Sequence, residues 1–147
     1  MSNVPALPDL EMVSVVALGG AVGSVARYLA GYYVGALLGP SFPYATLLVN
    51  VTGSAFLGLV GTLSIDKPGT VDPVVRLLLT TGFAGGYTTF SALTFETLSL
   101  YQRGESGLAV GNIALNLVIG MISVWVGAVL LEHSKGFEKC KLEPSNA

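Results

Sequence analysis

Four apolar runs, at about Met12–Leu38, Tyr44–Ile65, Val71–Tyr101 and Gly107–Leu131, dictate what this chain can fold into. A bilayer core of about 30 Å is crossed by about 20 helical residues, and each run is long enough. Only 11% of the 147 residues are charged, and the mean hydropathy is +0.70. Soluble domains carry about 25% charged residues, so a water-facing surface cannot be built all round. The expected fold is an all-α membrane protein with four transmembrane helices. Residues 1–11 read as an N-terminal segment, 12–131 as the four-helix transmembrane domain and 132–147 as a polar, solvated C-terminal tail. The connections carry strong breakers: Gly39-Pro40-Ser41-Phe42-Pro43, then Asp66-Lys67-Pro68-Gly69, then Gln102-Arg103-Gly104-Glu105.

Several function classes drop out. A net charge of −2 leaves no basic footprint for nucleic acid. The single cysteine, Cys140, forms neither an internal disulfide nor a cysteine-based metal site. The first eleven residues carry Asp9 and Glu11 but no Lys or Arg, so the first run is expected to stay in the mature chain. Gly19-Gly20 and Gly23 look like a fragment of a nucleotide fingerprint, but they sit inside an apolar run with no preceding strand. His133, just past the last run, reads as interfacial. No nucleophile–base set or ligand cluster is present, so no enzyme is expected. With four spans, Lys67, Lys135, Lys139 and Lys141 share a side, with Arg76 close by, and Arg103 lies opposite. That bias favours cytoplasmic termini, yet near the bilayer it is small enough to suit insertion in both orientations.

The third run is longer than a span requires, and its middle reads Gly82-Phe83-Ala84-Gly85-Gly86-Tyr87-Thr88-Thr89. Three glycines in five residues followed by paired threonines make a poor helix. One reading is a genuine break, tolerated at membrane depth where backbone is buried in protein or lines a watery cavity. The other is close helix packing through small residues. In the second run Thr46, Asn50 and Ser54 recur every four residues and share a helical face. The Asn50 amide offers two N–H donors suited to an anion, or glues helices together. Asn112 and Asn116 repeat this spacing in the fourth run, as a polar track or a helix contact. Arg27, near the middle of the first run, must pair, reach water or meet an anion. Glu96 is the candidate partner.

Taken in order, these segments resemble the fluoride channels of the Fluc (CrcB) family. The likeness covers roughly Leu18 to Gly127. It rests on Gly19-Gly20-Ala21-Val22-Gly23-Ser24-Val25-Ala26-Arg27-Tyr28, on the stretch from Thr46 through Asn50 to Gly58, and above all on Gly82 through Thr89-Phe90-Ser91, ending in Glu96. The resemblance implies dual-topology antiparallel dimers with two fluoride pores along the subunit interface, resident in the cell membrane. It implies that the break lies at the dimer centre, where carbonyls of Gly85 and Thr88 hold a structural sodium ion. Asn50 would donate to fluoride and Phe90 would present a ring edge, the positive end of its quadrupole. Arg27 would draw anions in. Thr46, Ser54, Ser91, Asn112 and Asn116 would complete a polar route.

Two positions depart from the family pattern. Ser91-Ala92-Leu93 stands where the family has Ser-Thr-Phe, so Leu93 replaces a second pore phenylalanine. Asn112 and Asn116 stand where tyrosine and serine are usual. Self-pairing into a homodimer and pairing with a related subunit are both open. The expected activity is passive export of fluoride: hydrogen fluoride enters as a neutral acid, dissociates, and the trapped ion leaves through the channel. The rivals are a small proton-coupled exporter, which needs a deep carboxylate such as Glu96, and a non-transporting subunit of a larger membrane complex.

Overall fold

A computed structural model describes residues 9–66 and 71–142, with side chains described for 9–63 and 71–131. Helix α1, Leu10–Leu38, starts where the Asp9 carboxylate accepts the Glu11 N–H at 3.1 Å, satisfying a donor that has no intrahelical partner. It ends at Gly39, whose φ of 75° turns the chain into the Pro40–Pro43 bend. Helix α2 is Tyr44–Asp66. Short α3, Pro73–Leu77, is capped by Asp72, which accepts the Val74 N–H at 2.7 Å.

The glycine-rich stretch is a genuine interruption. Leu78–Ala84 winds as a wide π-helical segment and Gly85–Tyr87 forms the single turn α4. Thr88 and Thr89 are then extended, with φ/ψ of −81°/161° and −153°/120°. Helix α5, Phe90–Gln102, restarts with the Thr89 hydroxyl accepting the Ala92 N–H at 3.1 Å. After Gly104, at φ 81°, helix α6 runs from Ser106 to Leu142. The described structure is therefore all helical.

Among the described residues, three helices are long and apolar enough to cross a membrane: Leu10–Leu38, Tyr44–Leu63 and Ser106–Leu131. They coincide with the first, second and fourth apolar runs. The third run is divided among α3, the π-helical segment, α4 and α5. Helix α6 continues past the apolar run into the stretch read as a tail. Residues 1–8 and 143–147, Lys67, and the side chains of His133, Lys135, Lys139, Cys140 and Lys141 lie outside the described residues.

Helix α1 packs along the π-helical segment and α4, α2 packs along α6, and α5 lies against α6. The core is small, with Val49, Leu93 and Leu100 among its few buried large side chains, while Leu37, Met121 and Trp125 face outward. That inversion suits lipid, which solvates apolar side chains and supplies no hydrophobic drive between helices. Close backbone approach replaces it. A Cβ at Gly23 would overlap the Phe83 carbonyl, and one at Gly86 would come within 2.5 Å of the Gly20 carbonyl. On the other side, Gly58 meets the Val124 backbone and Gly127 meets Ala55. Gly23→Ala should therefore force α1 off its seat and destabilise the protein by about 1–3 kcal/mol. Gly31→Ala, where nothing lies within 4 Å, should change stability by no more than about 0.5 kcal/mol. Unfolding midpoints of the two variants in one detergent check the contrast.

Candidate functional site

The break brings the second and fourth apolar runs to one place. Asn50, two turns into α2, reaches across to Thr89. Its Oδ1 accepts the Thr89 N–H at 2.8 Å, and its Nδ2 donates to the Thr89 carbonyl at 3.1 Å. Because the backbone N–H can only donate and the carbonyl can only accept, this contact sets the orientation of the amide. The second Nδ2 hydrogen goes to Asn116 Oδ1 at 2.8 Å. Asn116 Nδ2 donates to the Asn112 carbonyl and to Asn112 Oδ1, at 2.9 and 3.1 Å. Asn112 Nδ2 donates to Thr97 Oγ1 at 2.9 Å, and Thr97 donates to the Leu93 carbonyl at 2.7 Å.

This ladder answers one question left open by the spacing. Asn112 is 0% exposed and Asn116 6%, and both direct their N–H groups into the chain. Asn112 ties α6 to α5 through Thr97, and Asn116 ties α6 to α2 through Asn50. Asn116 and Asn50 nevertheless also border a groove of about 290 Å³, together with Ser54, Thr88, Phe90 and Leu93. Phe90, at the first position of α5, is 74% exposed, so its ring is largely uncovered by its own chain. Leu93, one turn on, is 5% exposed and forms part of the wall. Ser91 is exposed, with its hydroxyl 3.2 Å from that of Thr89.

Arg27 and Glu96 are not brought together. Glu96 Oε1 accepts the hydroxyl proton of buried Thr46 at 2.8 Å, and Oε2 is buried without a hydrogen-bond partner. A second cavity, of about 260 Å³, is bordered by Glu96, Arg103 and the first residues of α2. Arg27 is half-buried on α1 and does not border the groove. Among the described residues the ion pair present is Arg103–Glu105, at 3.1 Å on the surface.

The backbone of the break is equally specific. In a continuous helix the Gly85 carbonyl would receive the Thr89 N–H, and the Thr88 carbonyl the Ala92 N–H. Here the first goes to Asn50 Oδ1 and the second to Thr89 Oγ1. Both carbonyls thus lose their helical donors, which fits the chemistry of an oxygen-liganded cation site. Sequence reasoning missed Thr89 and Thr97 as site residues. Thr97 shares a helical face with Phe90 and Leu93, a signal visible in the spacing but overshadowed by its charged neighbour Glu96.

Apolar membrane-crossing helices, with a groove between them bordered by Asn50, Ser54, Thr88 and Asn116 and with unwound backbone at its edge, define a multi-pass membrane protein. Comparison with known proteins narrows the class. The family model described as CrcB-like protein, Camphor Resistance (CrcB), matches residues 14–128. Proteins named fluoride-specific ion channel FluC are similar along most of their length. The one from Acidobacterium capsulatum is 44% identical over 115 residues, covering 78% of this chain and 91% of the relative. Those from Sulfurihydrogenibium sp. and Thermus thermophilus are each 42% identical, covering 82% and 83% of this chain and 97% and 98% of theirs. The chain belongs to the CrcB family.

Thr46→Val should leave the Glu96 carboxylate without its donor and cost about 1–3 kcal/mol of stability, while Thr46→Ser should restore most of it. The unfolding midpoint in detergent reads both.

Proposed function

We propose that this chain forms a fluoride-selective channel through which the ion leaves the cell passively. The observation that carries the reading is the groove at the helical break, which Asn50 and the largely uncovered Phe90 both border. The relatives named as fluoride-specific channels support it. Fluoride is small and strongly hydrated, so a pore must replace its water with compact donors. An amide N–H and the positive edge of an aromatic ring serve that purpose without a fixed positive charge that would trap the ion. A channel makes and breaks no covalent bond, and nothing in this chemistry needs a nucleotide.

The working unit is a dimer of antiparallel subunits in dual topology, with identical subunits or a related partner. Two features support it: the small lysine and arginine bias across the connections, and a Phe90 ring that its own chain leaves uncovered. In such a dimer the breaks meet, and the Gly85 and Thr88 carbonyls, deprived of their helical donors, hold a sodium ion. That ion fastens the subunits and is not transported. Arg27, outside the groove, raises the local anion concentration at its entrance.

Liposomes carrying only this chain should release fluoride to an electrode, with negligible chloride release and no dependence on a proton gradient. Asn50→Asp should lower the fluoride rate at least about ten-fold, because a carboxylate beside the path repels the anion. Phe90→Ile should lower it while the protein still elutes as a dimer. Normal flux in Asn50→Asp would reduce Asn50 to a clamp on the backbone. After exchange into potassium buffer, elemental analysis should still find about one sodium ion per two chains, as a buried carbonyl site implies. Sodium at background level would remove the ion from the assembly.

A further inference from the structure

Both N–H groups of Asn50 are committed within the chain. One goes to the Thr89 carbonyl and the other to Asn116 Oδ1, at 3.1 and 2.8 Å, and an amide has only two. If Asn50 donates to an anion in the groove, one of these bonds must open. Releasing the Thr89 carbonyl would unlatch the break and leave a backbone acceptor unmet at membrane depth. Releasing Asn116 opens a bond between two side chains, and Asn116 borders the same groove. Asn116 itself has no N–H to offer, because both are held by the Asn112 carbonyl and Asn112 Oδ1. Towards the groove it acts as an acceptor.

We propose that Asn116 Oδ1 is an internal competitor of fluoride: it holds the Asn50 N–H between ions and yields it to each arriving anion. The proposal rests on the reading of Asn50 as the fluoride donor. Asn112 and Thr97 are positioning residues in this scheme. Every bond in the ladder donates in the same direction, from Asn50 to Asn116, to Asn112, to Thr97 and finally to the Leu93 carbonyl. Aligned bonds polarise one another, so each donation further down makes Asn116 Oδ1 a stronger acceptor. The competitor also holds the amide in place, so that its N–H is neither exposed to lipid nor free to rotate away. Occupancy by fluoride is thereby weakened, which favours release over trapping in a conducting site.

The test separates the half-saturating fluoride concentration from the maximal rate, measured in liposomes with the assembly as it purifies from the membrane. In Asn116→Ser the hydroxyl sits one bond short of Oδ1 and cannot reach Asn50. The half-saturating concentration should then fall about five-fold, the worth of one amide hydrogen bond. Thr97→Val, nearly isosteric and outside the groove, should move it the same way by a smaller factor. In an Asn50→Ser background the shift should disappear, which makes Asn50 the donor that Asn116 holds; flux lost altogether there would reflect the lost grip on Thr89, and the Asn116→Ser and Thr97→Val shifts then decide. An unchanged half-saturating concentration with a lower maximal rate would mean that the ladder only braces the helices, and would overturn the proposal. Equal tightening with and without Asn50 would overturn the reading of Asn50 itself, and the proposal with it. Should Asn116→Ser fail to fold, absence of any shift in Thr97→Val would suffice to overturn it.

Discussion

The amide of Asn50 holds both the N–H and the C=O of Thr89, and the rest of the architecture depends on that grip. An unpaired backbone group in hydrocarbon costs several kcal/mol, so a chain cannot leave its helix in a membrane without a substitute partner. One asparagine supplies a donor and an acceptor at matched spacing, much as a neighbouring strand would. With Thr89 held, its hydroxyl is free to cap α5, and the helix restarts after two extended residues. The π-helical winding of Leu78–Ala84 precedes the break, so the distortion is spread over several turns. Small residues make that possible, because Gly82 and Gly86 lie against Gly19 and Gly20 with no side chain between them.

The clamp is itself held from behind. Asn116 takes the remaining Asn50 proton, and its own amide is fixed by Asn112, which is anchored on Thr97. Three helices therefore bear on one peptide segment: α2 through Asn50, α6 through the two asparagines, and α5 through Thr97. The backbone seam of Gly58 and Gly127 brings α2 and α6 close enough for the asparagines to meet. A larger residue there would separate the amides before it disturbed anything polar. Packing by small residues and polar bonding are in this sense one device, since short hydrogen bonds at depth need closely approaching helices.

Much of this was legible in the sequence and some was not, for a physical reason. Spans are a one-dimensional property, and three of the four apolar runs reappear as membrane-crossing helices within a few residues. The break was legible as well, because three glycines and two threonines oppose helix formation locally. Partner choice was not legible. Glu96 and Arg27 invited pairing as lone charges in apolar runs, whereas Glu96 takes the Thr46 hydroxyl and Arg27 lies on a helix that does not border the groove. Periodicity placed Asn112 and Asn116 on one face but could not say whether that face looked into a pathway or onto α5. Burial settles it within the chain: Asn112 is fully enclosed, with its donors turned onto α5.

Leu93 shows how an apolar side chain is accommodated beside the polar ladder. Its side chain sits at the junction of the polar groove and an apolar cavity of about 620 Å³ between α5 and α6, bordered also by Phe90, Leu98 and Tyr101. The leucine side chain is 5% exposed and itself carries no polar group that would need a partner. Its backbone carbonyl ends the asparagine ladder regardless of the side chain. The leucine side chain therefore belongs to the apolar packing and leaves the polar ladder in place. That division matters for how such a chain can change. The ladder links donors and acceptors from three helices, so a change in one member has to be answered by its neighbours. The aromatic positions beside it obey only packing, where a lost ring costs contact area but no buried polar group goes unmet. Tolerance should then be highest where a side chain only packs and lowest at the Asn50–Thr89 contact, where a backbone N–H and a backbone C=O would both go unmet at membrane depth.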